Sequence, residues 1–249
     1  MSGLLRSRVK GFISYPQYDK ELASKRRKEL ADFGVKSIIQ DGKHTIDGIH
    51  ILGKGHTGIV LKALYNDNSV ALKILRADAD RSNLIEETRL LKLANSVGVG
   101  PRFIAVSDSF LLMELVEGVY LRDWINKMTD KETVEFQTIM GRLLLDAYRL
   151  DSIGLDHGEL VRLRRHIIYT GERPVIIDFE SASTNRHPSN LTTVVQSIYL
   201  NSKVSDQLAK TIKHPPRVEL LKVLKEYKKD RSLSNLEKIS ETIGVPIPN

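Results

Sequence analysis

The sequence predicts an α+β fold in which a small antiparallel β lobe with one helix precedes a larger helical lobe. Over residues 51–114, short apolar runs and turn residues follow one another in the order strand, turn, strand, helix, strand, strand. After Glu117-Gly118 the apolar residues recur at helical spacing instead, over residues 121–128 and 131–153. This change of period predicts two lobes, at residues 46–114 and 115–249.

Residues 1–45 precede the first lobe and are too short to form a domain of their own. We therefore expect them to be an N-terminal extension that packs on the small lobe. The predicted elements here are a helix over residues 18–33, a strand over 35–39, a turn at Asp41-Gly42 and a strand over 45–52. In the second lobe, short strands are predicted at 167–169 and 175–177, and helices from 189 onward with an interruption at His214-Pro215-Pro216.

The composition excludes several classes of function. The chain has 249 residues and no cysteine, which removes disulfides, zinc–thiolate sites and thiol nucleophiles. Its 41% hydrophobic and 28% charged residues are ordinary for a globular protein. No apolar run reaches the length of a membrane span, and residues 1–10 lack the apolar core of a signal peptide. We expect a cytoplasmic protein that does not associate with membranes.

The net charge of +7 is concentrated in two basic runs, Lys25-Arg26-Arg27-Lys28 and residues 222–231. A basic surface attracts ATP, acidic peptides and RNA alike. For each run taken alone, the simpler interpretation is a solvated helix face.

A glycine-rich segment opens the most informative part of the chain. Gly53, Gly55 and Gly58 lack a Cβ, so that a hairpin can turn tightly and approach phosphate oxygens. Val60 follows as an apolar cover for an adenine ring, and Lys73 ends the run Val70-Ala71-Leu72-Lys73, where it would neutralise phosphate charge. The alternative is a glycine-rich hairpin with a surface lysine.

Lys73 needs a carboxylate to hold it in place, and Glu86 and Glu87 lie on the helix predicted over residues 82–94. Glu87 precedes Leu90 and Leu91 by three and four residues, which places it near the buried face. We therefore favour Glu87 as the partner of Lys73.

Two further carboxylates lie in the second lobe. Phosphoryl transfer needs one carboxylate to orient the attacking hydroxyl and another to hold the metal. Asp178 ends the apolar run Val175-Ile176-Ile177 and is the candidate ligand for Mg²⁺, which prefers oxygen ligands. Glu159, in Asp156-His157-Gly158-Glu159-Leu160, is the candidate for orienting the hydroxyl. The alternative for each is a loop carboxylate or a helix cap.

These segments occur in the order seen in the protein-kinase superfamily, and the chain resembles its compact RIO type and the small predicted serine/threonine kinases of archaea. The resemblance covers roughly residues 50–200. It implies a bilobal kinase-like fold and transfer of phosphate from ATP, with Mg²⁺ or Mn²⁺, to serine or threonine of a protein or of the chain itself. Because Asp178 is followed almost directly by His187-Pro188-Ser189-Asn190 and a helix, the activation segment is minimal.

The resemblance also assigns roles to individual residues. Residues 111–118 are the connection between lobes, where backbone groups of Glu114 and Val116 would bond the adenine edge and Met113 would line the pocket. His157 would brace the loop. The catalytic set is Lys73, Glu87, Glu159 and Asp178, with Asp178 also the metal ligand; the nucleotide-binding set is Gly53, Gly55, Gly58, Val60, Ala71, Lys73, Met113, Glu114 and Val116.

Two positions depart from the family's pattern HxDLSxxN. Glu159 stands where the family has aspartate. Its extra methylene moves the carboxylate oxygen by about an ångström, and a displacement of that size can lower the rate roughly a hundredfold. Asp156 is the alternative catalytic carboxylate. Arg164 occupies the position of the metal-binding asparagine, and His166 precedes the next strand; neither is a good Mg²⁺ ligand. Arg162, Arg164 and Arg165 either grip an anionic substrate or face solvent.

Three functions follow. The first is a serine/threonine protein kinase. The second is a kinase of small molecules, because Asp178-Phe179-Glu180 resembles the aminoglycoside and choline kinase branch. The third is a weakly catalytic ATP-binding module that docks on RNA or a ribonucleoprotein through its basic helices, which the two departures favour.

Overall fold

A computed structural model of the chain describes residues 12–46, 48–200 and 202–248, with the side chains of residues 164, 202 and 203 outside the description. The chain forms two compact units. The first comprises the described residues up to Lys92 together with Pro101–Leu115, and the second comprises Leu93–Gly100 and the chain from Val116 onward. The fold is α+β with antiparallel strand pairing, as the sequence predicts.

The first unit is built mainly of strands. Its elements are α1 (Lys20–Asp32), β1 (Val35–Ile39), β2 (His44–Ile46), β3 (Ile49–Ile51), β4 (Gly53–Lys54), β5 (Gly58–Tyr65), β6 (Asn68–Leu75), α2 (Ile85–Ser96), β7 (Phe103–Val106) and β8 (Phe110–Glu114). Helix α2 begins in the first unit and ends in the second. The main sheet has the order β1-β5-β6-β8-β7, and β4 pairs with the start of β5. Strands β5 and β6, the longest of this unit, lie at its centre.

The hairpin between β5 and β6 is closed by Asn66 and Asp67, whose φ angles are 47° and 63°. Positive φ at both central residues is the geometry of the tight turn that matches the twist of a two-residue hairpin, and Asn and Asp tolerate it better than other side chains. The full register from Gly58↔Leu75 to Tyr65↔Asn68 follows from this turn.

The segment before β4 packs on one face of this sheet. Phe12, Ile13 and Leu30 are buried in one core with Ile59, Leu61 and Ala63 of β5 and with Val70, Leu72 and Ile74 of β6. Helix α1 begins at its cap, where Asp19 Oδ1 accepts from Leu22 N–H at 2.9 Å. The predicted strand over residues 45–52 is wrong: β2 and β3 pair with each other as a short hairpin, with Asp47 outside the described residues.

The second unit is mainly helical. Its elements are β9 (Val119–Tyr120), α3 (Leu121–Ile125), α4 (Thr133–Ser152), α5 (Leu163–His166), β10 (Ile167–Tyr169), β11 (Pro174–Ile176), α6 (Asn190–Tyr199), α7 (Ser202–Leu208), α8 (Arg217–Lys229) and α9 (Leu233–Ile243). A small sheet has the order β11-β10-β9. The predicted interruption falls between α7 and α8, with Pro216 as the N-cap of α8. In the part of the chain that is described, no helix has the length and apolarity of a membrane span.

Buried polar side chains join the helices of this unit. Asp151, near the end of α4, accepts hydrogen bonds from the first amides of α6, Asn190 N–H at 2.9 Å and Leu191 N–H at 3.2 Å. Tyr227 of α8 donates its hydroxyl to the same carboxylate at 3.0 Å. A carboxylate suits this position because the N-terminal amides of a helix lack partners and carry partial positive charge.

Candidate functional site

In the first unit, the glycine-rich segment forms the tight hairpin that the sequence predicts. Gly53 pairs with Val60 and Lys54 with Ile59, and Gly55 N–H donates to Gly58 C=O at 2.8 Å. A Cβ at Gly58 would lie 2.8 Å from Lys73 Cε and 2.9 Å from Ile74 O, which is closer than side chains approach one another. Glycine at this position therefore lets the Lys73 side chain extend beneath the hairpin.

Lys73 and Glu87 form a buried ion pair. The distance from Lys73 Nζ to Glu87 Oε1 is 2.6 Å, and each side chain is 3% exposed. Glu86, the weaker candidate, points to solvent and pairs with Arg89 at 2.8 Å. The structure thus brings Lys73 and Glu87 together, as the helical spacing predicts, whereas their part in phosphate binding stays a prediction.

Six of the nine residues predicted to contact a nucleotide share one face of the main sheet. Directly paired residues in antiparallel strands, and residues two apart in one strand, project to the same side. Val60 pairs with Lys73, and Ala71 pairs with Met113, which places all four on the face opposite the core of Leu72 and Ile74. Gly53 and Gly58 lie on the same side by the same register.

Glu114, whose backbone is predicted to contact adenine, lies at the end of β8. Its N–H donates to Arg102 C=O at 2.8 Å, and its Oε2 accepts from Arg102 N–H at 3.0 Å. The amide is therefore engaged within the first unit, and a backbone contact of Glu114 with adenine stays a prediction. Val116 is half-buried and belongs to the second unit.

In the second unit, the end of one strand pair positions the candidate metal ligand. Ile167 of β10 pairs with Ile176 of β11, and beyond this pair Ile177 N–H donates to His166 C=O at 2.9 Å. His166 therefore lies just before β10 and Asp178 just after β11, at the same end of the ladder. Their side chains approach each other, with Nδ1 of His166 3.9 Å from Oδ2 of Asp178.

Asp178 has an unusual backbone conformation, with φ at 67°. Left-handed backbone is unfavourable for residues other than glycine and, outside tight turns, often marks a functional position. The side chain is 32% exposed, although the adjoining Phe179 is buried. Asp178 thus follows a buried strand but keeps a partly exposed side chain.

His157 joins the two loops that carry the candidate carboxylates. Its Nε2 donates to Ile177 C=O at 3.0 Å and its Nδ1 accepts from Glu159 N–H at 3.4 Å, a pattern that assigns the neutral tautomer. Burial lowers the pKa of this fully buried imidazole to about 4, and His166 nearby lowers it further in the same direction. His157 is thus an uncharged brace, in the position that the resemblance implies.

Glu159, the candidate for orienting a hydroxyl, contacts two neighbours. Its Oε1 accepts from Arg162 Nη1 at 2.6 Å, and its Oε2 lies 3.2 Å from His166 Nε2. The side chain is 24% exposed, so Glu159 is accessible while it is held between a cation and a buried imidazole.

Asp156, the alternative carboxylate, is held in a structural network. Arg186 Nε donates to its Oδ2 at 2.8 Å, and its backbone forms an isolated bridge with Ser183. Its side chain is only 10% exposed. The geometry therefore favours Glu159 over Asp156 as the carboxylate available to a substrate.

His166 is buried without a hydrogen-bond partner. Neither ring nitrogen makes a hydrogen bond, because the approach of Nε2 to Glu159 is close in distance but poorly aligned. Burial lowers the pKa of His166, against the opposing effect of Asp178 and Glu159. The ring is therefore neutral at pH 7, between two carboxylates.

Within the described residues there is no group of three or more His, Asp and Glu side chains that alone would hold a metal ion. Asp178 with His166 is a pair, and a nucleotide-bound metal commonly takes one or two protein ligands and completes its shell with phosphate oxygens and water. Arg164, which occupies the position of the family's metal-binding asparagine, lies in α5, but its side chain is outside the described part of the structure.

The two basic runs lie on helices, α1 and α8. In α1, Arg26 is buried and donates Nη1 to Ile13 C=O at 2.7 Å, so it does not contribute to a basic surface. In α8 the exposed face carries Lys222, Lys225, Lys228 and Lys229.

Two side chains that support the loop of Asp156 and His157 were not predicted from the sequence. Asn190 Oδ1 accepts from His157 N–H at 2.8 Å, and Arg186 holds Asp156. The signal for Asn190 was its place at the start of a predicted helix after Pro188-Ser189, where Asn is a frequent cap. No local pattern points to Arg186.

Comparison with known proteins yields no matching family model. The chain is similar to the Methanocaldococcus jannaschii protein named "Uncharacterized protein MJ1211", with 25% identity over 119 residues, which are 47% of this chain and 96% of that protein. Neither comparison assigns the chain to a family, so its function is argued from the residues described above.

Proposed function

We propose that the chain is an ATP- and divalent-metal-dependent phosphotransferase with a bilobal, protein-kinase-like fold of the compact RIO-like type. Its acceptor is a serine or threonine hydroxyl of a protein, the chain itself included. The observation that carries the proposal is the buried ion pair of Lys73 and Glu87, below a glycine hairpin.

A structural role alone is a poor explanation for that pair. Removing two charges from water costs about as much as their attraction returns, and apolar residues of the same size often stabilise a fold better. The pair also requires a glycine at position 58, because a Cβ there would collide with Lys73. A lysine held by a carboxylate on the face shared by Val60, Ala71 and Met113 suits a triphosphate, whose charge the ammonium group would neutralise.

The residues of the second unit fit a metal ion that accompanies the nucleotide. Asp178 is partly exposed in a strained conformation, and the buried imidazole beside it has no hydrogen-bond partner. When bound, ATP and its metal supply the transferable phosphoryl group. Asp178 holds the metal, Lys73 binds phosphate oxygens, and Glu87 keeps Lys73 in place.

The remaining residues act on the acceptor. Glu159 accepts or orients the proton of the attacking hydroxyl, since its carboxylate is the more accessible of the two candidates. His157 fixes the backbone of Glu159 relative to Ile177 through its two ring nitrogens. Because His157 is neutral, it adds no charge beside the two carboxylates.

A groove beside the Glu159 loop supports a protein acceptor. It has a volume of about 390 Å³ and is open, and the residues that line it include the exposed Val161 and Leu221 and also Arg217. An open, mixed groove suits an extended peptide better than a small molecule, which is usually enclosed on most sides.

A weakly catalytic ATP-binding module is the second candidate. The contact between Arg162 and Glu159, at 2.6 Å, favours it, because a carboxylate already bonded to a guanidinium is less available to an attacking hydroxyl. The exposed lysines of α8 would then serve to contact RNA or a ribonucleoprotein.

The test is transfer of labelled phosphate from ATP with Mg²⁺ or Mn²⁺ to the chain itself and to generic protein substrates. We expect Lys73→Ala and Asp178→Ala to abolish transfer. Two variants serve as controls: Lys36→Ala, which breaks a surface ion pair in β1, and Glu172→Gln, in the exposed turn between β10 and β11. Both controls should retain transfer.

The outcomes separate the candidates. Nucleotide binding without transfer favours the weakly catalytic module, and RNA affinity that falls steeply with salt and with loss of the α8 lysines supports it further. Transfer to an aminoglycoside or choline but not to protein favours the small-molecule kinase. No nucleotide binding by the native chain contradicts all three.

A further inference from the structure

His166 has the properties of a metal ligand. Its side chain is 4% exposed, yet neither ring nitrogen makes a hydrogen bond. Buried polar groups in native proteins are almost always bonded, and one that is not needs an explanation such as an ion.

Both ring nitrogens lie near carboxylate oxygens. Nε2 lies 3.2 Å from Oε2 of Glu159, and Nδ1 lies 3.9 Å from Oδ2 of Asp178. A neutral imidazole has only one N–H, and a carboxylate only accepts. If the N–H is on Nε2, the nitrogen nearer to a carboxylate, Nδ1 has a lone pair and lies near the oxygens of Asp178. Two electron-pair donors that lie this close are stabilised by a cation that both can reach.

We propose that His166 Nδ1 and Asp178 together bind the divalent metal, and that the nitrogen ligand makes the site select Mn²⁺ over Mg²⁺. This inference rests on the metal-binding part of the proposed function. His166 then takes the place of a second oxygen ligand, immediately before β10.

The surroundings match those of a metal-bound histidine. Such a histidine usually directs its second nitrogen to a carboxylate, which fixes the ring and raises its basicity, and Glu159 is placed for this contact. Mg²⁺ binds oxygen ligands almost exclusively and gives up its waters reluctantly. Mn²⁺ also favours oxygen ligands, but as a first-row transition metal it accepts an imidazole nitrogen more readily than Mg²⁺ does. Two ligands at right angles and about 2.1 Å from an ion lie about 3 Å apart, so the pair closes by somewhat less than 1 Å.

The competing explanation is a protonated His166 that bridges Glu159 and Asp178 without any metal. The two explanations differ in a direct spectroscopic signature. A histidine nitrogen bound to Mn²⁺ couples magnetically to the metal electrons, and a bridging imidazolium does not.

The experiment is pulsed electron paramagnetic resonance of Mn²⁺ bound to the full chain with inorganic tripolyphosphate, which contains no nitrogen. We expect a nitrogen coupling in the native protein that changes when histidine is labelled with ¹⁵N. The coupling should disappear in His166→Asn and persist in His187→Gln, an exposed histidine of the same unit. The ratio of Mn²⁺ to Mg²⁺ affinity should fall about tenfold or more in His166→Asn.

Mn²⁺ bound without nitrogen coupling, a coupling that survives in His166→Asn, or no Mn²⁺ binding overturns the inference. If His166→Asn fails to fold, native Mn²⁺ binding without a ¹⁵N-sensitive coupling still overturns the inference. Coupling without phosphate transfer contradicts the proposed function alone, and transfer without coupling contradicts this inference alone.

Discussion

Lys73 Nζ and Glu87 Oε1 lie 2.6 Å apart, and both side chains are almost completely buried. The lysine is on the central strand β6 and the glutamate on α2, so the pair joins the sheet to the helix. A buried pair of this kind contributes little net stability while both partners are present, but the loss of one partner leaves an unpaired charge.

Replacing one partner should therefore destabilise the first unit, and replacing both should not. We expect Lys73→Ala or Glu87→Ala to cost about 3–5 kcal/mol, and the double variant Lys73→Met with Glu87→Leu to restore most of this. The double variant should still lack phosphate transfer. Hydrogen exchange of the β5 and β6 amides measures the stability of this unit. A double variant as unstable as either single variant would show that the charges are needed for folding.

Arg162 should restrain Glu159. An ion pair with an exposed partner is worth about 0.2–1 kcal/mol, so Arg162→Gln should raise the rate of transfer by up to about fivefold. Arg165→Gln, an exposed arginine in the same short helix, is the control and should leave the rate unchanged. Steady-state kinetics with a protein acceptor checks the prediction. A slower Arg162→Gln would instead place Arg162 among the groups that grip an anionic substrate.

His157 should make the second unit sensitive to acid. Its pKa is about 4 in the folded chain, below the ordinary value of 6.5, so between these pH values the unfolded chain binds a proton that the folded chain does not. The stability from this group is complete above pH 6.5 and is lost as pH falls to 4, by about 3 kcal/mol at most.

Urea unfolding followed through Trp124, the single tryptophan and a residue of α3, measures this effect between pH 7.5 and 4. His157→Gln should be less stable at neutral pH but should show a flatter pH dependence than the native chain. His44→Gln, in an exposed position, should keep the native pH dependence. The lowered pKa of His166 adds a slope in the same direction to every variant. Parallel curves for native and His157→Gln would refute the assignment.

Asp146 should make the second unit less stable as the pH rises, which is the opposite of the effect of His157. Burial raises its pKa from 3.8 to about 6, although Arg149 at 3.4 Å partly opposes this. The protonated carboxyl is favoured in the folded chain, so the contribution of Asp146 to stability is present below pH 3.8 and is lost as pH rises through 6.

Asp146→Asn should therefore stabilise the second unit at pH 7, by about 3 kcal/mol at most, and should have little effect near pH 3.8. Urea unfolding followed through Trp124 at these two pH values checks the prediction. Glu172→Gln, with no buried carboxylate, should change neither value. Equal stability of Asp146→Asn and the native chain at pH 7 would mean that the arginines fully offset the burial.

The sequence predicts the elements of the fold and the local pairing well. Helical spacing distinguishes Glu87 from Glu86, and the glycine-rich segment predicts the hairpin of β4 and β5. The break between β2 and β3 was missed although Asp47-Gly48 is a dipeptide typical of hairpin turns, because the prediction joined the residues on both sides of it into one strand.

The contacts of the carboxylates could not be predicted, since they depend on residues that are distant in the chain. Asp156 and Glu159 look equivalent in the sequence, but Arg186 holds one and His166 adjoins the other. Arg26 reads as part of a basic run, yet it turns inward to the carbonyl of Ile13. Each of these outcomes is set by tertiary packing and not by local spacing.

Asp151 has a consequence for how the second unit comes apart. One carboxylate on α4 receives the first turn of α6 and the hydroxyl of a tyrosine on α8, residues 39 to 76 positions further along the chain. Neither α6 nor α8 can detach without taking hydrogen bonds from that buried carboxylate. These two helices should therefore melt together and not one after the other.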